Sequence, residues 1–113
     1  MKVLVVHRQE AVLEQIKAQL RQWHVHSLSS GLDGLLACRM HQYDLILCSF
    51  DLPVVTGIEM ARSIRNFSLN KSTPIILLAE GQETPEHFRI INQIDANLLT
   101  LAEVDEMKNL TIE

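Results

Sequence analysis

The residues best suited to chemistry in this 113-residue chain follow short apolar runs. His7 and Arg8 come directly after the first such run, and Ser49 and Asp51 follow a second one at residues 44–48. A guanidinium can clamp a phosphate or carboxylate through two parallel hydrogen bonds. A neighbouring carboxylate or hydroxyl could accept a phosphoryl group. The residue types therefore point to an anion site or a phosphoryl-transfer site, provided that the fold brings them together.

Strand-like and helical patterns alternate along the chain and must supply that fold. Continuous aliphatic runs indicate strands buried on both faces, as in a parallel sheet. They predict strands at Lys2–Val6, 44–48 and 74–79, and less continuous patterns predict two more, at His24–Leu28 and 97–101. Apolar residues at helical spacing predict helices at about 9–23, 32–41 and 58–66, one starting at Pro85, and a short last one at 103–110. This alternation predicts a doubly wound α/β fold: a five-stranded parallel sheet with helices on both faces.

Sites in such sheets lie beyond the carboxyl ends of the strands, where the strand order reverses. We therefore expect function at residues 7–9, 49–53, 79–82 and 100–102. Gly31 precedes the second predicted helix and Gly34 lies in its first turn, but the lysine of a phosphate-binding loop is missing there. No glycine motif for dinucleotide binding follows the first strand. Nucleotide binding is accordingly disfavoured.

Two helices carry clear apolar stripes from which core positions can be predicted. In the first, Val12, Ile16 and Leu20 recur at helical spacing, and Trp23 extends the stripe. In the second, the apolar stripe consists of leucines, and we expect it to face the core: Leu32, Leu35 and Leu36.

Composition excludes several classes of function. Fourteen acidic residues against ten basic ones give a net charge of −4, which argues against direct nucleic-acid binding. The longest apolar runs are far shorter than the ~20 residues of a membrane span. Together with the lack of a signal-peptide pattern, this predicts a cytoplasmic protein with no membrane partner. Cys38 and Cys48 are too few for a disulfide scaffold or a four-ligand zinc site, and we expect both to be buried.

The ordered segments KVLVV, YDLILCSFDLP, TGIEMARSIR and TPIILLAEG resemble the receiver domain of bacterial two-component response regulators. The resemblance extends from Lys2 to about Lys108. It implies a flavodoxin-like, receiver-like fold and one receiver-like domain over residues 1–113, either standing alone or forming the N-terminal part of a longer regulator. It also implies an output surface on the fourth helix, fifth strand and fifth helix, at residues 84–110.

The family's reactive positions all carry other residues in this chain. The acidic pair that binds magnesium in the family corresponds to His7 and Arg8, and the phosphorylated aspartate corresponds to Ser49. Three further family positions, a hydroxyl, a lysine and an aromatic switch residue, are replaced respectively by Ala79, Thr100 and Asn97. The resemblance therefore implies a degenerate, or pseudo-receiver, domain with no catalytic residues, no bound magnesium and no other cofactor.

The expected function is that of a non-canonical receiver domain in signal transduction, not an enzyme. It would act without aspartyl phosphorylation, by contacting a protein partner or a second copy of itself through residues 84–110. An effector domain or a histidine kinase would be such a partner.

Two alternatives remain open. In one, the domain is a phosphorelay receiver that is phosphorylated at an atypical acceptor, either Asp51, two residues past the family position, or Ser49. In the other, His7, Arg8 and Ser49 form a small anion- or ligand-binding site. Against the first, we favour a solvated loop acid or helix-cap contact at Asp51 and a backbone-bonded strand-end residue at Ser49. Against the second, we favour an ion pair between Arg8 and Asp51 or Glu80, a fixed cation that would hold the pocket in one state.

Overall fold

Aliphatic runs form the strands of one parallel sheet, as the sequence predicts. The computed structural model describes residues 1–79, 81 and 83–106. The strands are β1 (Lys2–Val6), β2 (His24–Leu28), β3 (Leu45–Ser49), β4 (Ile75–Leu78) and β5 (Asn97–Leu99), in the order β2-β1-β3-β4-β5. The three central strands are almost entirely buried because helices cover both faces of the sheet.

The helices are α1 (Glu10–Gln19), α2 (Gly31–Met40), α3 (Gly57–Phe67), α4 (Pro85–Gln93) and α5 (Leu101–Glu106). The last four begin in the same way: the side-chain hydroxyl of the preceding residue accepts a hydrogen bond from the backbone N–H three residues later. These capping residues are Ser30, Thr56, Thr84 and Thr100. Such caps satisfy N–H groups that the first helical turn leaves without partners. None of the described helices is long and apolar enough to cross a lipid bilayer.

The sheet separates two apolar cores, and alternate residues of β1 supply one each. Leu4 and Val6 pack on the side of α2, α3 and α4. Val3 and Val5 pack on the side of α1 and α5. This confirms the doubly wound arrangement, because a strand directs successive side chains to opposite faces.

Two helix boundaries differ from the sequence prediction by two residues or more, and the fifth strand ends at Leu99, two residues before its predicted end. The first helix ends at Gln19, not Trp23, because the chain turns there and the Trp23 N–H donates to the Leu20 carbonyl. Trp23 still packs, partly buried, against the α1 core. The last helix begins at Leu101, two residues early, because Thr100 caps it. Predicted helical residues 107–110 lie outside the described residues.

The second helix, α2, corrects a core prediction. Leu32 and Leu36 are 57% and 49% exposed. The buried residues of the helix are small ones: Gly31, Gly34, Ala37 and Cys38. A Cβ at Gly34 would lie 3.0 Å from Met60 Sδ and from Val6 Cγ2. The helix thus approaches β1 and α3 closely through its small residues, and this close approach turns two of its leucines outward.

Asn70 joins three segments at the amino ends of the strands, opposite the predicted site. Its Oδ1 accepts from the Tyr43 N–H at 2.7 Å and from the Thr73 hydroxyl at 3.0 Å. Its Nδ2 donates to the carbonyls of Cys38 and His41, both at 2.9 Å. This buried amide therefore ties the end of α2 to the chain entering β3 and β4.

Cys38 and Cys48 are free and fully buried, as expected. Burial raises the pKa of each thiol to about 12. A raised pKa keeps the thiol neutral in the folded chain, whereas the unfolded thiols ionise near pH 9. We expect native thiols to react with a disulfide reagent at pH 8 about 1,000-fold more slowly than in the urea-unfolded chain, since the thiolate is the nucleophile. Similar rates in both states would contradict this expectation.

Candidate functional site

The predicted residues of the first and third strand ends meet at one edge of the sheet. From β1 the chain goes first to β2 on one side and then to β3 on the other, so the strand order reverses between β1 and β3. Val6 is the register partner of Cys48. His7 and Ser49, the next residue on each strand, therefore leave the sheet side by side, at the place where α/β proteins usually bind ligands.

Arg8 and Asp51 form an ion pair across this edge. Arg8 Nη2 lies 3.3 Å from Asp51 Oδ2, and both side chains are 50% exposed. The ion pair expected from the sequence is confirmed with Asp51 as the partner; Glu80, the other candidate, lies outside the described residues. The only acid of the 49–53 loop thus has a cation at its carboxylate.

Ser49 occupies the last position of β3 and is completely buried. Its Oγ donates a hydrogen bond to the backbone carbonyl of Asp51 at 3.1 Å. This is the usual behaviour of a small hydroxyl residue at a turn, where it closes the turn by bonding the nearby backbone. In this conformation the hydroxyl faces protein and not solvent.

His7 is also buried and supports the turn into α1. Its backbone N–H donates to the Leu28 carbonyl, and its Nδ1 accepts from the Gln9 N–H at 3.1 Å. Gln9 is the residue that precedes the first turn of α1. The Nδ1 lone pair is therefore used within the chain, and His7 and Arg8 do not present two side chains together as an exposed anion clamp.

A small cleft next to the ion pair adds residues that the sequence did not single out. It encloses about 200 Å³ and is lined by Phe50, Asp51, Thr56, Ile58 and His87. The Phe50 and His87 rings meet edge to face, with centroids 4.8 Å apart. This contact joins the loop after β3 to the first turn of α4. Phe50 could have been suspected from its place between Ser49 and Asp51, whereas no sequence signal pairs it with His87.

The remaining predicted positions act in the backbone or lie at the surface. The Ala79 N–H donates to the Leu99 carbonyl at 2.7 Å and extends the β4–β5 pairing. Asn97 begins β5 and is exposed. Thr100 is exposed and caps α5. Within residues 1–79, 81 and 83–106, no three His, Cys, Asp or Glu side chains are grouped so that they could hold a metal ion.

Comparison with known proteins identifies the family. Residues 3–101 match the family described as the response regulator receiver domain. The chain belongs to this family. It is a receiver domain of two-component signalling, and the resemblance seen in the sequence is confirmed at this level.

Curated relatives of this receiver domain are longer regulators. It is 31% identical over 85 residues to the cell cycle transcriptional regulator CtrA of Caulobacter vibrioides, covering 74% of this chain and 36% of that protein. It is 31% identical over 84 residues to the response regulator ArlR of Staphylococcus aureus, covering 73% and 37%. The chain thus spans about a third of the length of these relatives.

Solved structures confirm the fold of this receiver domain. The chemotaxis response regulator CheY4 of Vibrio cholerae superposes with a TM-score of 0.81 at 22% identity, over 94% of this chain and 93% of CheY4. At that identity the likeness concerns the fold alone. The flavodoxin-like, five-stranded architecture predicted from the sequence is therefore correct.

Proposed function

We propose that this receiver domain is a non-canonical one that signals through protein–protein contacts without aspartyl phosphorylation. The observation that carries the proposal is the state of Ser49, the position equivalent to the family's phosphoacceptor. It is completely buried, and its Oγ is bonded to the Asp51 carbonyl. A phosphodonor would need an exposed nucleophile at this position, and this side chain does not provide one.

The residues around Ser49 also do not fit the magnesium ion that assists phosphoryl transfer in the family. Magnesium prefers oxygen ligands in octahedral geometry. The two residues after β1 instead provide an imidazole, whose Nδ1 accepts from Gln9, and a guanidinium beside the Asp51 carboxylate. A positive charge beside that carboxylate repels a cation. We therefore propose that the domain uses no magnesium or other cofactor and catalyses no reaction.

The proposed contact surface is the family's output face, formed by α4, β5 and α5, which corresponds to residues 84–110. Phe88 of α4 is 49% exposed there, next to an exposed ion pair between Arg89 and Glu86 at 3.5 Å. The Phe50–His87 contact links this face to the loop after β3. A protein partner, such as a second copy, an effector domain or a histidine kinase, would bind this face in the cytoplasm, and nucleic acid would not contact the domain directly.

The test is incubation of the domain with magnesium and acetyl phosphate, and separately with beryllofluoride. We expect no covalent adduct by intact-mass spectrometry and no amide shifts at residues 49–51, because the acceptor position is buried and the carboxylate is paired. A receiver domain that keeps the family's acidic pair and acceptor aspartate, treated in parallel, serves as the positive control.

A stoichiometric phosphoryl adduct would overturn the proposal. Loss of that adduct in Asp51→Asn would establish the alternative in which Asp51, half-exposed, is an atypical acceptor. Loss in Ser49→Ala would assign it to the buried hydroxyl. Amide shifts produced by inorganic phosphate without magnesium, and abolished in Arg8→Ala, would instead support the anion-binding alternative.

A further inference from the structure

Exposed apolar side chains are concentrated on one part of this domain. Among the described residues, eight large hydrophobic side chains are exposed, and five of these lie on or directly after α2 and α3: Leu32, Leu36, Met40, Phe67 and Leu69. Their exposed fractions range from 49% to 72%. Scattered exposed hydrophobic residues are normal on a protein surface, whereas contiguous ones mark interaction sites.

Four of the five side chains line two adjoining depressions, and Met40 continues the α2 stripe outside them. Leu32, Leu36 and Met40 are four residues apart and so form one stripe along α2. Across from them, Phe67 closes α3. The α2–α3 groove between the helices encloses about 250 Å³ and is lined by Leu32, Leu35, Leu36, Arg39, Ser63, Phe67 and Ser68. A second depression shares Arg39, Phe67 and Ser68 and extends the groove to Leu69 and Lys71.

The packing of α2 explains why this apolar surface is exposed. The helix buries Gly34 against Met60 and Val6, where a side chain would not fit without displacement. An amphipathic helix normally turns its leucines inward. In α2 the small residues face inward, so that Leu32 and Leu36 remain available for contact with another molecule.

Charge indicates what that molecule is. Arg39 and Lys71 are the charged residues among those that line the two depressions, and neither has an ion-pair partner in the described part of the chain. This end of the groove is therefore locally positive on a chain of net charge −4. A second copy bound about a two-fold axis would bring Arg39 near its own equivalent. An anionic membrane would be repelled by the net charge, and a concave groove suits a rod-shaped ligand better than a flat one.

We propose that the α2–α3 groove binds an acidic amphipathic helix of a partner protein. Its apolar side chains occupy the groove along Leu36 and Phe67, and its carboxylates pair with Arg39 and Lys71. The stripe from Leu32 to Met40 is about 12 Å long, which matches two to three turns of a bound helix. This surface is separate from the α4–β5–α5 face, so it would serve a second partner.

The experiment is a selection from a display library of helical peptides about 15 residues long on the intact chain. We expect the selected peptides to carry apolar residues at i, i+4 and i+7 and an excess of Asp and Glu. One selected peptide, synthesised with a fluorophore, should bind at least about tenfold more weakly to Leu36→Ser and to Phe67→Ser. Each substitution removes an apolar contact that the bound peptide would bury. Phe88→Ser removes an exposed phenylalanine of α4 that lies outside the groove. This variant should bind the peptide with unchanged affinity.

A charge swap provides the second readout. Selection on Arg39→Glu should enrich less acidic peptides, a change that a purely apolar contact would not produce. The proposal is overturned if Phe67→Ser selects the same peptides, or if the enriched peptides are basic. It is also overturned if the groove variants abolish self-association or binding to anionic vesicles while peptide binding is absent. Thermal unfolding of each variant identifies any loss that is due to misfolding.

Discussion

Replacing Arg65 by methionine should lower the free energy of unfolding by about 2–4 kcal/mol, the value of hydrogen bonds from a charged donor to partly buried carbonyls. Arg65 Nε donates to the Ile94 carbonyl at 2.9 Å, and Nη2 donates to the backbone carbonyl of Asp95 at 2.8 Å. Nη1 donates to the carbonyls of Lys71 at 3.0 Å and Thr73 at 2.6 Å. One guanidinium thus fastens α3 to the end of α4 and to the loop before β4. Urea unfolding followed by circular dichroism measures the loss.

Two variants separate this tether from a simple loss of charge. Arg62→Met removes an exposed arginine one turn earlier on the same helix, and surface changes of this kind usually cost less than about 0.5 kcal/mol. Arg65→Lys keeps the charge but lacks the planar fork that serves four carbonyls, so it should recover less than half of the loss. Equal stability of Arg65→Met and Arg62→Met would contradict the assignment.

Gly57→Ala should destabilise the domain by about 3 kcal/mol, although alanine is the better helix former by about 1 kcal/mol. Gly57 is the first residue of α3, and its N–H donates to the Phe50 carbonyl at 3.2 Å. An added Cβ would overlap the Ser49 carbonyl oxygen and would lie 3.1 Å from Phe50 Cα. Both neighbours are backbone atoms, which cannot move as a flexible side chain can. Sterics therefore outweighs helix propensity.

The same substitution should also disturb the strand end, because the overlap falls on the residue that closes β3. We expect amide shifts at Ser49 and Asp51 in the folded fraction, with loss of stability measured by urea unfolding. Gly81→Ala is the control. A Cβ there would meet no atom of the described residues within 4 Å, and the positive φ of 85° opposes it at a cost of about 1 kcal/mol. A neutral or stabilising Gly57→Ala would show that the approach of α3 to β3 is looser than described.

Most of the architecture followed from local patterns in the sequence. β1 occupies the predicted residues Lys2–Val6 because a continuous aliphatic run can be buried on both sides. α4 begins at Thr84–Pro85 as predicted, since a threonine cap and a proline in the first turn are strong local signals. Such features depend on neighbouring residues only, and the sequence displays them directly.

The α2 prediction failed because helical periodicity shows that a helix has an apolar stripe and not which neighbour it meets. Leu32 and Leu36 form such a stripe, but the small residues on the adjacent face allow α2 to approach β1 more closely. The orientation of α2 is therefore set by the close packing of its glycine backbone on the side chains of Val6 and Met60. The two glycines were visible in the sequence, yet their packing partner, Met60, is remote in the chain.

The candidate site divides in the same way. The pairing of Arg8 with Asp51 could be predicted because both follow strands that the fold class places side by side. The Phe50–His87 contact and the Arg65 tether could not be predicted. They join residues 37 and about 30 positions apart through details of loop conformation.

The half-exposed Arg8–Asp51 pair makes the electrostatics of the strand-end loop sensitive to salt. An ion pair of this exposure contributes about 0.5 kcal/mol to stability. The contribution falls as ionic strength rises, because salt screens the attraction between exposed charges. An attraction of this size is no larger than the thermal energy, so whether the pair holds the pocket in one state stays a prediction. The burial of Ser49 does not depend on salt, whereas the attraction between Arg8 and Asp51 weakens as the salt concentration around the protein rises.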